Sequence, residues 1–186
     1  SGLLEDSLTQ PFAGIFDTFL LPNNHDDLNQ RVNQCLEAIK LVYASVFSKT
    51  SRNYIKAVNY NLEEEKMAIV LQEVVGSKQG SYFYPHISGV AQSYNYYPFS
   101  HMKPEEGFGL IALGLGKYVV EGEKALRFAH QYPDLQINTP MQLFKNSQLN
   151  YYAIDLNNSE IDLLEGDCAG LKKLSIEDAE MHGSIK

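Results

Sequence analysis

Between Leu28 and Val46 the apolar side chains Leu28, Val32, Cys35, Leu36, Ile39, Val42, Tyr43 and Val46 recur at the spacing of one helix face. Asp26 or Asp27 can accept from the first free amides of that helix, which is expected to end near Phe47. A second short helix is expected through Arg52–Ile55. From Lys66 the pattern changes: Lys66–Val75 is an apolar run of strand length, rich in β-branched residues and stopped by Gly76. A chain that switches from helical period to strand-type runs in this way has to be α+β, with a mixed, mainly antiparallel sheet carrying the long helix on one face. Further strands are expected at Ser81–Ser93, Gly107–Leu113 and Gln148–Leu156, with a short helix at Tyr118–Glu121 and a last one at Ile176–His182. Residues 1–22 read as a loop with one short strand, Ile15–Leu20, and Glu123–Asn150 as mostly irregular, broken at Pro133 and Pro140.

Composition narrows the function classes. With 15 Lys+Arg against 23 Asp+Glu the formal charge is −8, which repels a phosphate backbone and argues against nucleic acid as a partner. A small anionic ligand held by backbone amides and a few cations is compatible with that charge. No apolar run approaches the roughly 20 residues needed to cross a bilayer, and nothing reads as a secretion signal, so a cytoplasmic location is expected. The two cysteines, Cys35 and Cys168, form no C-x-x-C pair and suit a reducing compartment. The histidines His25, His86, His101, His130 and His182 lie in separate segments without metal-ligand spacing.

Three places can carry chemistry. In Gln10–Thr18, Gly14 just ahead of a strand either makes a simple tight turn or lets backbone N–H groups approach an anion, with Thr18 adding a hydroxyl donor. At Gln72–Val75 two polar residues interrupt an otherwise apolar strand. They mark either an edge strand facing water or a strand end that offers backbone C=O and N–H to a flat heterocycle. In Gly107–Lys117 a small-residue strand feeds a G-x-G turn and a helix, a possible phosphate approach with Lys117 as its cation. That last segment is neither a Rossmann fingerprint nor a P-loop, since Gly116 is not followed by x-x-Gly and Lys117 is followed by Tyr118.

Taken in order, these segments resemble the nucleotide-binding, ATP-grasp domain of the phosphoenolpyruvate synthase / pyruvate phosphate dikinase family. Glu5-Asp6-Ser7 followed by Phe12-Ala13-Gly14-Ile15-Phe16-Asp17-Thr18-Phe19-Leu20 is similar to the family's "E-D … F-A-G-x-x-[ED]-T-x-L". Cys35–Ile39 with Tyr43–Phe47 resembles its "hL-x-A-I-x-x-x-W-A-S-L-F" helix, and Met67–Val75 its "M-A-V-V-V-Q-x-M-V". Ser88–Ala91 and Leu113–Gly122 resemble "S-G-V-x-F-T" and "G-L-G-E-x-V-V-x-G", with Lys117 where the family usually has glutamate.

The resemblance implies an ATP site in which Gly14, Ile15, Phe16 and Thr18 form the loop over the phosphates. Gln72, Glu73 and Val75 would form the hinge beside adenine, with the backbone of Glu73 and Val75 touching the base. It also implies Mg²⁺, a carrier histidine on a separate domain, and pyruvate bound on a third domain, in a larger enzyme that makes phosphoenolpyruvate. The family's "T-x-G-G-x-x-S-H-A" histidine segment and its "[DE]-x-E-[WF] … L-Q-x-R" segment do not occur here. None of the histidines is therefore the expected phosphocarrier, the metal ligands are unassigned, and no catalytic residue is named. The chain is expected to be a central piece of a longer enzyme, inactive alone, with residues 1–140 a partial ATP-grasp domain and 141–186 an extension of it. Self-association through apolar surface is expected of such a piece. The competing readings are a non-catalytic nucleotide-binding or regulatory module and an α+β interaction domain without nucleotide.

Overall fold

The computed structural model describes residues 2, 14–98, 102–132 and 139–185. Glu5-Asp6-Ser7, Phe12-Ala13, His101 and Pro133 lie outside the described residues. The chain is α+β, every β-ladder in it is antiparallel, and a long helix is its largest single element. It divides into two compact units: Ser1–Val74 with Leu156–Gly170, and Val75–Asp155 with Leu171–Lys186. Pro140 opens a helix inside the second of these.

The first unit is helical. Helix α1 spans Leu28–Ser45 and starts where the sequence indicates, with Asp27 Oδ1 accepting from the Asn29 N–H at 2.9 Å. Helix α2 (Lys49–Ala57) is capped by Ser48, whose hydroxyl accepts from the Ser51 N–H at 3.1 Å. The buried core here is Ile15, Phe16, Val46 and Ile55, with Tyr54, Tyr60 and Met67 packed against it. Leu156–Gly170 is tied to this unit by two side-chain amides: Asn24 Nδ2 donates to Leu156 O at 2.9 Å, and Gln34 Nε2 to Ser159 O at 2.7 Å. The apolar stripe of α1 is only partly used for core. Ala38 is buried, whereas Leu28, Val32, Leu36 and Tyr43 stay about half exposed or more.

Among the described residues two expected strands form no ladder: Ile15–Leu20 is assigned to none, and Lys66–Val75 makes a single bridge, Met67 with Gly2. The run keeps the period of two that its β-branched composition favours: Met67 and Ile69 are half-buried, while Ala68 and Val70 are exposed. Strand-like side-chain alternation is thus present without a ladder among the described residues, and the run is not buried on both faces, since Val70 and Leu71 are 66% and 68% exposed.

The second unit holds the sheets, built from β1 (Ser77–Gln79), β2 (Tyr82–Tyr84), β3 (Ser88–Gln92), β4 (Phe108–Ala112), β5 (Leu126–Phe128), β6 (Asn150–Asp155) and β7 (Leu171–Ser175). One sheet runs β1-β2-β6-β7 and the other β3-β4-β5. The expected single strand Ser81–Ser93 is divided at Pro85 into β2 and β3, which join different sheets. Helices α3 (Lys117–Val120), α4 (Pro140–Asn146) and α5 (Ile176–Met181) complete the unit, so the stretch expected to be irregular contains both β5 and α4. Its core is Tyr84, Leu113, Tyr151, Ala153, Leu174 and Ala179.

Candidate functional site

The segment after Gly14 is fixed from below. Ile15 and Phe16 turn their side chains into the core, 4% and 6% exposed. The Asp17 N–H donates to Ser45 Oγ at 3.1 Å, and Ser45 Oγ donates to Val42 O at 2.7 Å in the last turn of α1. The fully buried Ser51 hydroxyl lies 2.7 Å from Ser45 O and 3.1 Å from Ile15 O. These serines give the segment partners that a ladder would otherwise supply. Gly14 itself is exposed, has φ +86°, and has nothing within 4 Å of where a Cβ would sit. Its glycine is needed for the left-handed turn, not for a close approach to other protein atoms.

Beyond Phe16 the chain forms one wall of a cleft of about 580 Å³ within the first unit. Asp17–Leu21 make that wall, Cys35, Ala38, Ile39 and Val42 of α1 make the floor, and Ile69–Val74 make the facing side. Thr18, Gln72 and Glu73 therefore meet in one cleft, all three exposed. Gly14 stands three residues before the lining begins, and Ile15 and Phe16 reach toward the cleft only by backbone, because their side chains belong to the core. Val75 is 84% exposed and falls in the second unit.

The cleft's chemistry follows from its walls. The floor is apolar, which suits a flat ring system. The backbone of 69–74, which joins no ladder among the described residues, offers N–H and C=O groups at one side. The charged residues of the lining are two carboxylates, Asp17 and Glu73. Partial desolvation and the nearby like charge of Asp167 push the Asp17 carboxyl above its ordinary range. Sequence alone assigns Asp17 no role of its own, although it stands directly before Thr18 in the same motif.

The glycine-rich turn after β4 packs against β6. A Cβ at Gly114 (φ +84°) would come within 2.8 Å of Tyr151 Cβ and Tyr152 O, and the Leu115 N–H donates to Tyr152 O at 2.9 Å. Glycine is required there for the chain to pass against β6. Lys117 Nζ is bound 2.9 Å from Glu121, one turn on in α3, and its side chain is 14% exposed, so it is a paired cation of the fold.

Comparison with known proteins adds an independent line. The family model described as pyruvate phosphate dikinase, AMP/ATP-binding domain, matches residues 1–159. Among curated proteins, the phosphoenolpyruvate synthase of Aeropyrum pernix is 27% identical over 167 residues, covering 89% of this chain and 18% of that protein. The chain thus spans less than a fifth of the length of that relative. No solved structure matches.

Proposed function

Since the chain belongs to the pyruvate phosphate dikinase AMP/ATP-binding domain family, we propose that it is the ATP-binding part of a larger ATP-dependent phosphotransferase, ATP-grasp in type. That enzyme would phosphorylate a carrier histidine on another domain and pass the group to pyruvate, yielding phosphoenolpyruvate, and the reading puts it in the cytoplasm. The observation that carries the reading is that Asp17–Leu21 and Ile69–Val74, far apart in sequence, line one cleft. In this reading the base lies over the floor made by Ile39 and Val42, against the hinge of Gln72 and Glu73, with the backbone of Glu73 and of Val75, two residues on, touching it. The Thr18 hydroxyl and the amides following Gly14 donate to phosphate oxygens.

Charge supports a metal in the same proposal. A polyphosphate beside Asp17 and Glu73 is repelled unless a cation intervenes. Carboxylate and phosphate oxygens together are the ligands that Mg²⁺ takes, and the ion would supply charge neutralisation during phosphoryl transfer. Asp17 and Glu73 are the residues of this cleft that would hold it.

Calorimetric titration of the chain with Mg·ATP tests the proposal. Binding is expected in the unchanged chain, weakened about tenfold (~1.4 kcal/mol) by Gly14→Val, which forces a β-branched residue into the left-handed region, and weakened also by Thr18→Ala. Absence of binding together with unaltered amide exchange at 69–74 would overturn it, as would equal affinity of both variants. The longer enzyme is expected to release AMP from ATP when pyruvate is present; ADP alone would contradict the phosphotransfer assignment.

A further inference from the structure

The second unit contains a cavity of about 710 Å³, within the roughly 300–1,000 Å³ typical of small-molecule sites. Its distinctive feature is an arginine held without a carboxylate. The Arg127 guanidinium carbon on β5 sits 4.0 Å from the centroid of the Phe108 ring, and its Nη2 donates to Asn95 Oδ1 at 2.6 Å. Asn95 is completely buried. Its own N–H donates to Pro104 O at 2.7 Å, and its Oδ1 also accepts from the Tyr97 N–H at 3.1 Å. The Nδ2 of that amide has no hydrogen-bond partner. A buried amide with one end unpaired is unfavourable, so what this one does, holding the guanidinium through its oxygen, stands out. Ring and amide together fix the Arg127 fork while leaving the residue exposed.

The surrounding charges do not neutralise it. Among the described residues no carboxylate pairs with Arg127. Glu123 lines the same cavity but lies 2.9 Å from Lys173 and is balanced by it. Lys124, also in the lining, gives one hydrogen bond to Lys145 O at 2.8 Å, and an ammonium has three donors. Two cations that no carboxylate pairs among the described residues therefore face one cavity in a chain whose formal charge is −8. Met102, Leu126, Phe128 and Leu143 supply apolar lining beside them.

We propose that this cavity binds a small organic oxyanion, a carboxylate or phosphate monoester carrying an apolar body, with Arg127 as its anion-binding residue and Lys124 as the second cation. A fixed planar fork matches two oxygens of either head group, and the apolar lining covers the rest of the molecule. This cavity and the cleft described above share no lining residue, and the lining of each belongs wholly to a different unit.

NMR titration of the full chain with phenyl phosphate, benzoate and inorganic phosphate tests this. The expected result is a saturable shift of the Arg127 Nε–Hε and Phe128 amide signals with phenyl phosphate, benzoate or both. Which of the two binds identifies the head group. Inorganic phosphate is expected to bind more weakly, Arg127→Gln to reduce affinity about tenfold or more, and Lys124→Gln, on an exposed side chain, to reduce it less. The proposal is overturned if no probe shifts Arg127, if both variants bind as the unchanged chain does, or if the shifts fall at 69–74 instead. Inorganic phosphate binding as well as phenyl phosphate would overturn the apolar component.

Discussion

The Asp17 N–H donates to the Ser45 hydroxyl, 3.1 Å away across 28 positions of sequence, and that hydroxyl in turn donates to Val42 O at 2.7 Å. One side chain, itself 4% exposed, thus joins the start of the cleft wall to the end of α1. Ser45→Ala leaves a main-chain donor without its partner, and Ser51→Ala removes the buried hydroxyl beside Ile15 O and Ser45 O. Each is expected to lower the unfolding free energy in urea by about 1–3 kcal/mol. The two losses should be less than additive, since both hydroxyls contact the same turn.

Asp17 makes the cleft sensitive to acid. Its carboxyl is raised in the folded chain by desolvation and then by Asp167, so the folded state holds its proton more tightly than the unfolded state does. Stability therefore falls with rising pH between the ordinary value of 3.8 and the raised one, and the full cost is present above that window. Asp17→Asn is expected to raise the melting temperature at neutral pH. That advantage should shrink as pH is lowered through the raised value and vanish below 3.8. Paired thermal scans of the two chains across this range check it.

Gly114 is a position where the second unit tolerates substitution poorly. Alanine there meets a φ of +84° together with atoms of Tyr151 and Tyr152 at 2.8 Å. A loss of roughly 2–4 kcal/mol is expected by urea unfolding, combining backbone strain with overpacking. Gly14→Ala, at a similar φ but in open space, should cost no more than about 1–2 kcal/mol.

Two neighbouring tyrosines should respond oppositely. Tyr84 and Tyr151 are both fully buried with ring centroids 4.8 Å apart. The Tyr84 hydroxyl lies 2.8 Å from Ser184 Oγ and 3.1 Å from His182 Nδ1, whereas the Tyr151 hydroxyl is buried and meets the Tyr84 hydroxyl outside good hydrogen-bond geometry. Tyr84→Phe is expected to cost about 1–2 kcal/mol and to loosen the chain after α5, and Tyr151→Phe to be neutral or slightly stabilising. Thermal unfolding with amide exchange at 182–185 distinguishes them.

How far the sequence foretells this architecture depends on how each element is held. Helix α1 is legible from its spacing and from Asp27, and β4 from its small apolar residues before a glycine turn. β7 reads Leu-Lys-Lys-Leu-Ser, without strict alternation, and exists because it pairs with β6 along five residues. β5 is three residues long, too short for any period to show, and all three are exposed. α4 did carry a signal: Thr139 and Gln142 form a capping box with Pro140 at the first helical position. In the cleft, Thr18, Gln72 and Glu73 follow from motif order, but Asp17 acquires its character from partial desolvation and the approach of Asp167, which only the fold supplies. The apolar run at 66–75 shows the converse, where composition announces a strand and the described residues give it one bridge, to Gly2, and no ladder.

The first unit draws on both 1–74 and 156–170, with 75–155 intervening. A ribosome making this chain therefore releases the helical half unfinished, and Asn24 and Gln34 wait for Leu156 and Ser159 until more than a hundred further residues have been added. A stop codon anywhere in the intervening stretch spoils both halves, and no single proteolytic nick can free either one intact.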